Sequence, residues 1–180
     1  DGFLPHEFVG SATITDNPED LAVKITQALN LQKDWNKNNS AAFNVLREAV
    51  SNLGILVMQN GVVGNNNHRI LNVAEFRAFV LIDEYVPLIF LNARDSTNAK
   101  IFSLCHELVH IWLGVDELYN DNFATNQIFN NGKLESFCNE VAAEMLLPLS
   151  SIQSTLDRQH DIYTNIKQIS KVFNVSELVV

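Results

Sequence analysis

Basic residues are scarce in this sequence. Twelve Lys and Arg stand against 21 Asp and Glu in 180 residues, a net charge of −9 with a pI near 4.9. Phosphate affinity comes mostly from Lys and Arg, so direct binding of nucleic acid is not expected from this segment. Its surface favours a basic partner instead. Cysteine is scarce too, with only Cys105 and Cys138. A secreted scaffold held together by disulfides carries more, which points to a reducing, cytoplasmic compartment. No run reaches the ~18 consecutive apolar residues of a membrane span. The opening DGFLPHEF lacks the basic-then-apolar pattern of a signal peptide. Repeats and low-complexity tracts are absent. The chain opens without Met and closes on NVSELVV, which reads as the start of a helix, so it is expected to continue at both ends.

What is present suits one domain with a real core: 47% hydrophobic and 18% charged residues. Residues 1–16 show no period and read as an extended lead-in. Asn17-Pro18 starts a helix whose face is Leu21, Ile25 and Leu29. Ser40 can cap a second helix bearing Phe43, Leu46, Val50 and Leu53, ended by Gly54. The period then changes. ILVMQ (55–59), FRAFVLID (76–83) and PLIFLN (87–92) read as three strands, and GVVGNNNH (61–68) as turns. ARDST (93–97) supplies caps for a helix ending at Gly114. A polar loop over 116–133 follows, then a helix over 134–147 closed by Pro148. Ser150 and Ser151 can cap a short helix, and 161–172 forms another. The fold class is therefore α+β, with a small, about three-stranded and largely antiparallel sheet against helices. The main domain spans 17–148, and 149–180 is a helical extension packed on it.

The chemistry lies in IFSLCHELVHIWLG (101–114). His110 follows His106 by four residues, only about 40° round a helix, so both imidazoles leave one face a turn apart. Glu107 flanks that face. Two imidazoles on a metal ion, with a carboxylate beside the water it acidifies, make a hydrolytic zinc site; the glutamate takes the water's proton as it attacks a carbonyl. Three fixed positions also recur by chance, but the apolar neighbours Ile101, Leu104, Leu108 and Ile111 mark a buried helix. Placing His, Glu and His there without a metal would strand polar groups at roughly 1–3 kcal/mol each.

Two residues compete as third ligand. Asp116 lies six residues past His110, resembling the HExxHxxGxx(H/D) pattern, but the glycine of that pattern falls one residue late, at Gly114. On the next helix, Glu135 and Asn139 share a face of small or apolar residues, about 40° apart. A lone carboxylate heading such a face wants a counter-charge, so Glu135 is the preferred ligand, with Asn139 holding an imidazole from behind. Glu140 and Glu144 point away, to solvent. Cys138 shares the ligand face but reads as packing, like Cys105. His6, His68 and His160 read as surface residues.

The runs PLIFLNARDSTNAKIFSLCHELVHIWLG and LESFCNEVAAEMLLP, in that order, resemble the ImmA/IrrE family of metallopeptidases, most closely over 87–148 and more weakly over 40–86. The resemblance implies a zincin-like fold, zinc (or another divalent ion) on His106, His110 and Glu135, and Glu107 as catalytic base. It also implies site-specific cleavage of a helix-turn-helix repressor in mobile-element or stress regulation, or a partner of toxin–antitoxin type. The chain departs from the family at Cys105, Cys138 and Val109, where small residues or Gly are usual. The tail IKQISKVFNVSELVV faintly resembles a helix-turn-helix fragment but lacks a basic recognition helix, and so reads as packing.

The leading function is thus a zinc-dependent endopeptidase acting on one protein partner. The alternative is a non-catalytic, metal-stabilised module that sequesters or senses a regulator, for which Cys138 or Asp116 would close the site as a fourth ligand. A broad degradative protease fits poorly with the small size. A substrate would lie along an edge strand, FRAFVL or PLIFLN, and Arg77 could meet an acidic or carbonyl group of it, or form only a surface ion pair.

Overall fold

The computed structural model describes residues 4–64, 66–115, 125–177 and 179–180, with side chains omitted over 125–131. Helix α1 (Pro18–Ala28) starts as its sequence dictates: the Asn17 side chain accepts from the Asp20 N–H, and Pro18 occupies the first turn. Helix α2 (Ala42–Asn52) buries Phe43, Leu46 and Val50. Its cap differs from expectation. Ala41, not Ser40, is the N-cap, and Asn39 Oδ1 accepts the Ala41 N–H just before it.

Strands β1 (Leu56–Asn60), β4 (Ala78–Leu81) and β5 (Leu88–Asn92) form the three-stranded sheet, in the order β1-β5-β4. The sheet is mixed: β4 pairs antiparallel with β5, whereas β1 pairs parallel with it, Leu56 opposite Leu88. The PLIFLN strand is therefore central, not an edge, and its apolar run fits a strand with neighbours on both sides. Between β1 and β4, the stretch expected as turns holds a small ribbon, β2 (Val62–Val63) with β3 (Asn66–Ile70). All five β3 residues are exposed. With no core face, such a strand has no apolar alternation to announce it.

Helix α3 (Thr97–Leu113) packs on β4 and β5 and against α2 and α4. Eleven of its 17 residues are buried, so it forms the centre of the molecule. Helix α4 (Thr125–Leu146) lies against α3 and α1 and begins well before position 134. The segment expected as loop is therefore helical from 125 onward, and 116–124 lies outside the described residues. Helix α5 (Leu149–Thr155) is led by Pro148 with no side-chain cap. Ser151 Oγ instead donates to Asp34 Oδ1 (2.6 Å). Helix α6 (Ile162–Phe173), capped by Asp161, buries Ile169 and Phe173, as a packing extension requires. It stops at Asn174, whose φ of 57° is left-handed. The described residues after it are not helical, contrary to the expectation from NVSELVV. Among the described residues no helix is long and apolar enough to cross a membrane.

Candidate metal centre

The Ser96 hydroxyl accepts the Ala99 N–H and opens α3. Gly114 closes the helix in the left-handed region, φ 67°. A Cβ there would stand 2.9 Å from Gly10 Cα, so the position needs glycine for space as well as for φ. The turn brings the Val115 carbonyl back to His110 Nδ1 at 3.0 Å. A carbonyl only accepts, so that nitrogen carries the proton and His110 Nε2 presents a lone pair. One turn earlier, His106 Nδ1 lies 3.0 Å from the amide oxygen of Asn139 on α4, which turns His106 Nε2 in the same sense.

The two Nε2 atoms face each other at 3.2 Å. Glu135 joins them, with Oε2 3.2 Å from His106 Nε2 and Oε1 3.5 Å from His110 Nε2. Two ligands each about 2.1 Å from a tetrahedral ion stand about 3.4 Å apart. The three groups thus already have the spacing of three corners of such a site. Two lone pairs and a carboxylate this close are balanced by a proton or by a cation among them, so His106, His110 and Glu135 could hold a metal by charge as well as by distance. Exposure is graded: the His110 side chain is fully buried, that of His106 is 14% exposed and that of Glu135 33%. Among the described residues, the centre is most exposed on the His106–Glu135 side.

A model of the IrrE N-terminal-like domain, a peptidase family, matches residues 50–180, well over half of the sequence. The chain belongs to the ImmA/IrrE family of metallopeptidases. No individual curated protein matches it.

In this ImmA/IrrE-family chain, helix periodicity put His106 and His110 on one face of α3 and Glu135 and Asn139 on one face of α4, and these two faces meet. It did not foresee the Val115 carbonyl, for which Gly114 was the available signal. Cys138, read as packing, also lies close by. The thiol, fully buried one turn from Glu135, lies with the two imidazoles in a group whose ligand atoms are all within 4.8 Å of one another. Both cysteines are buried. Cys105 is core, as expected; burial pushes its thiol pKa far up, which keeps it neutral and a poor ligand. Asp116 lies outside the described residues. Glu107 follows His106 on α3 and is 7% exposed, buried beside the centre instead of solvated.

The remaining titratable groups separate from the centre. Glu140 is exposed, but Glu144 is partly buried and accepts the Leu149 N–H at 3.3 Å; desolvation raises its pKa. His68 and His160 are exposed as expected. His6 is half-buried, its ring stacked on Phe8 at 4.8 Å and pressed against Gly54. Arg77 forms the anticipated ion pair, Nη1 to Asp95 Oδ2 at 3.1 Å.

Proposed function

We propose that this metallopeptidase is a zinc-dependent endopeptidase that cuts one protein partner at a specific site, the partner being a helix-turn-helix transcriptional repressor. The observation that carries the proposal is the convergence of His106 Nε2, His110 Nε2 and Glu135 at 3.2–3.5 Å, beside the buried Glu107. Three protein ligands leave one tetrahedral position for water, the pattern of a catalytic rather than a structural site. Zinc, when bound there, supplies Lewis acidity and acidifies a water. Glu107 takes the proton of the attacking water and passes it to the leaving amine. Asn139 and the Val115 carbonyl hold the imidazoles in the tautomer that offers Nε2. The repressor as substrate, and with it a cytoplasmic site of action, rests on the resemblance of the two motifs to the family; a count of only two cysteines agrees with a reducing compartment.

The test takes candidate helix-turn-helix repressors from the same genome, beginning with any encoded beside this chain, purified and mixed with zinc-loaded enzyme. Glu107→Gln should retain zinc and cut about 10²–10⁴-fold more slowly. Undiminished cleavage by that variant sinks the proposal. A second reading, a metal-stabilised binding module, draws on the position of Cys138. Cobalt in place of zinc separates the two. A thiolate-to-cobalt absorption band that disappears in Cys138→Ala, with no cleavage of any partner, decides for the module.

A further inference from the structure

A cleft of about 800 Å³ extends the metal face of α3 toward the start of that helix. Phe102 and Ser103 line it one turn before His106, and Asn98 lies a turn further on. From α4, Asn139 and Ala143 form the opposite wall. Asn139 holds His106 and also lines this space, so the cleft borders the metal centre through that residue. Its far end is Arg77.

Arg77 is the one charged side chain among the described residues that line the cleft. It is held from two sides. Its carbonyl accepts the N–H of the buried Asn92, which fixes it at the head of the edge strand β4. Its Nη1 is bound to Asp95, whose side chain is only 8% exposed, while the Arg77 side chain is 60% exposed. A fixed carboxylate on one side orients the guanidinium and leaves its other N–H groups toward solvent and the cleft. A mere surface ion pair would have two mobile, solvated partners. The Asp95 carboxylate offsets the charge at long range, so what Arg77 offers an anion is short-range: the remaining guanidinium N–H donors at the cleft.

We propose that Arg77 selects an acidic residue of the peptide substrate, binding its carboxylate at the far end of the α3–α4 cleft. The inference rests on the endopeptidase reading above. The register follows from helix geometry. Arg77 is tied to the residue preceding Ser96, and the rise from Ser96 to His106 is about 15 Å. An extended peptide advances about 3.3 Å per residue, which puts the acidic residue roughly three to five positions from the scissile bond.

The experiment uses a set of fluorescein-labelled peptides spanning the site at which the repressor substrate identified above is cut. Glu, Gln or Lys is placed at each position in turn, and each peptide is made with a free and an amidated C-terminus. Zinc-loaded Glu107→Gln protein reports binding by anisotropy, and the wild-type enzyme reports cleavage by mass spectrometry. Glu at one position, three to five residues from the cut, should bind and react about tenfold better than Gln, whether the C-terminus is free or amidated. That preference should vanish in Arg77→Gln and return in part in Arg77→Lys, with zinc content unchanged in both. A preference that persists in Arg77→Gln, or one that follows the free C-terminus instead of Glu, overturns the assignment of Arg77. Cleavage indifferent to charge at every position overturns it as well and leaves the endopeptidase reading standing. Neither binding nor cleavage of any peptide removes both.

Discussion

Asn139 and Val115 act on the same atom type, one from α4 and the other from the turn after α3. Each takes an Nδ1 proton, and each thereby aims a lone pair at the point where three donors meet. Of the two, Asn139 is the one a side-chain substitution can remove. Asn139→Ala frees the His106 ring to rotate and to change tautomer, while His110 stays held by the backbone. Zinc affinity should fall about 10–100-fold, with secondary structure intact, measured by competition against a chromophoric chelator. An unchanged affinity would mean that packing alone orients His106. Arg77 belongs to this scale too, since its predicted effect is on the choice of substrate and leaves the fold alone.

At the scale of the element, α3 is the part that everything else serves. Its apolar sides meet the sheet, α2 and α4, and its polar stripe carries the two histidines. The element also depends on how it ends. Gly114 is left-handed, lies against Gly10, and delivers the Val115 carbonyl to His110. Gly10 and Ala12 in turn donate to the carbonyls of Ile111 and Trp112, so the lead-in is fastened to the same helix end. Gly114→Ala combines a disfavoured φ with a clash against backbone and should cost about 1–3 kcal/mol in urea unfolding. Zinc binding should weaken in parallel, because the His110 acceptor moves. A loss of stability with full metal affinity would separate the helix end from the site.

At the scale of the molecule, one buried amide ties distant segments together. Asn36, 1% exposed, donates to the carbonyls of Leu146 at the end of α4 and Phe173 at the end of α6. Asn174 returns a bond to the Asn36 carbonyl at 2.7 Å. The C-terminal helices are thereby fixed to the turn after α1. Asn36→Ala leaves two buried carbonyls without that donor and should destabilise the chain by about 2–3 kcal/mol, read from the denaturation midpoint. A change within error would show that water replaces the amide there.

Local rules carried much of this protein. Asn17-Pro18, Ser96 and Gly114 fixed helix ends because capping involves only near neighbours, and a four-residue interval put His106 beside His110 because a helix has one period. The same period set Glu135 and Asn139 on one face. Local rules could not find the ribbon at β2–β3, which has no buried face, or the start of α4, whose first turns lack an apolar stripe. Nor could they tell that β1 runs parallel to β5, since pairing direction depends on where distant strands come to lie. The decisive matters at the centre are of that second kind. Tertiary structure alone brought Glu135 within 3.5 Å of both imidazoles, carried Cys138 to the same group, and set Arg77 at the end of the cleft. Each requires α3 to lie against α4 or the sheet, and no interval within one element records that contact.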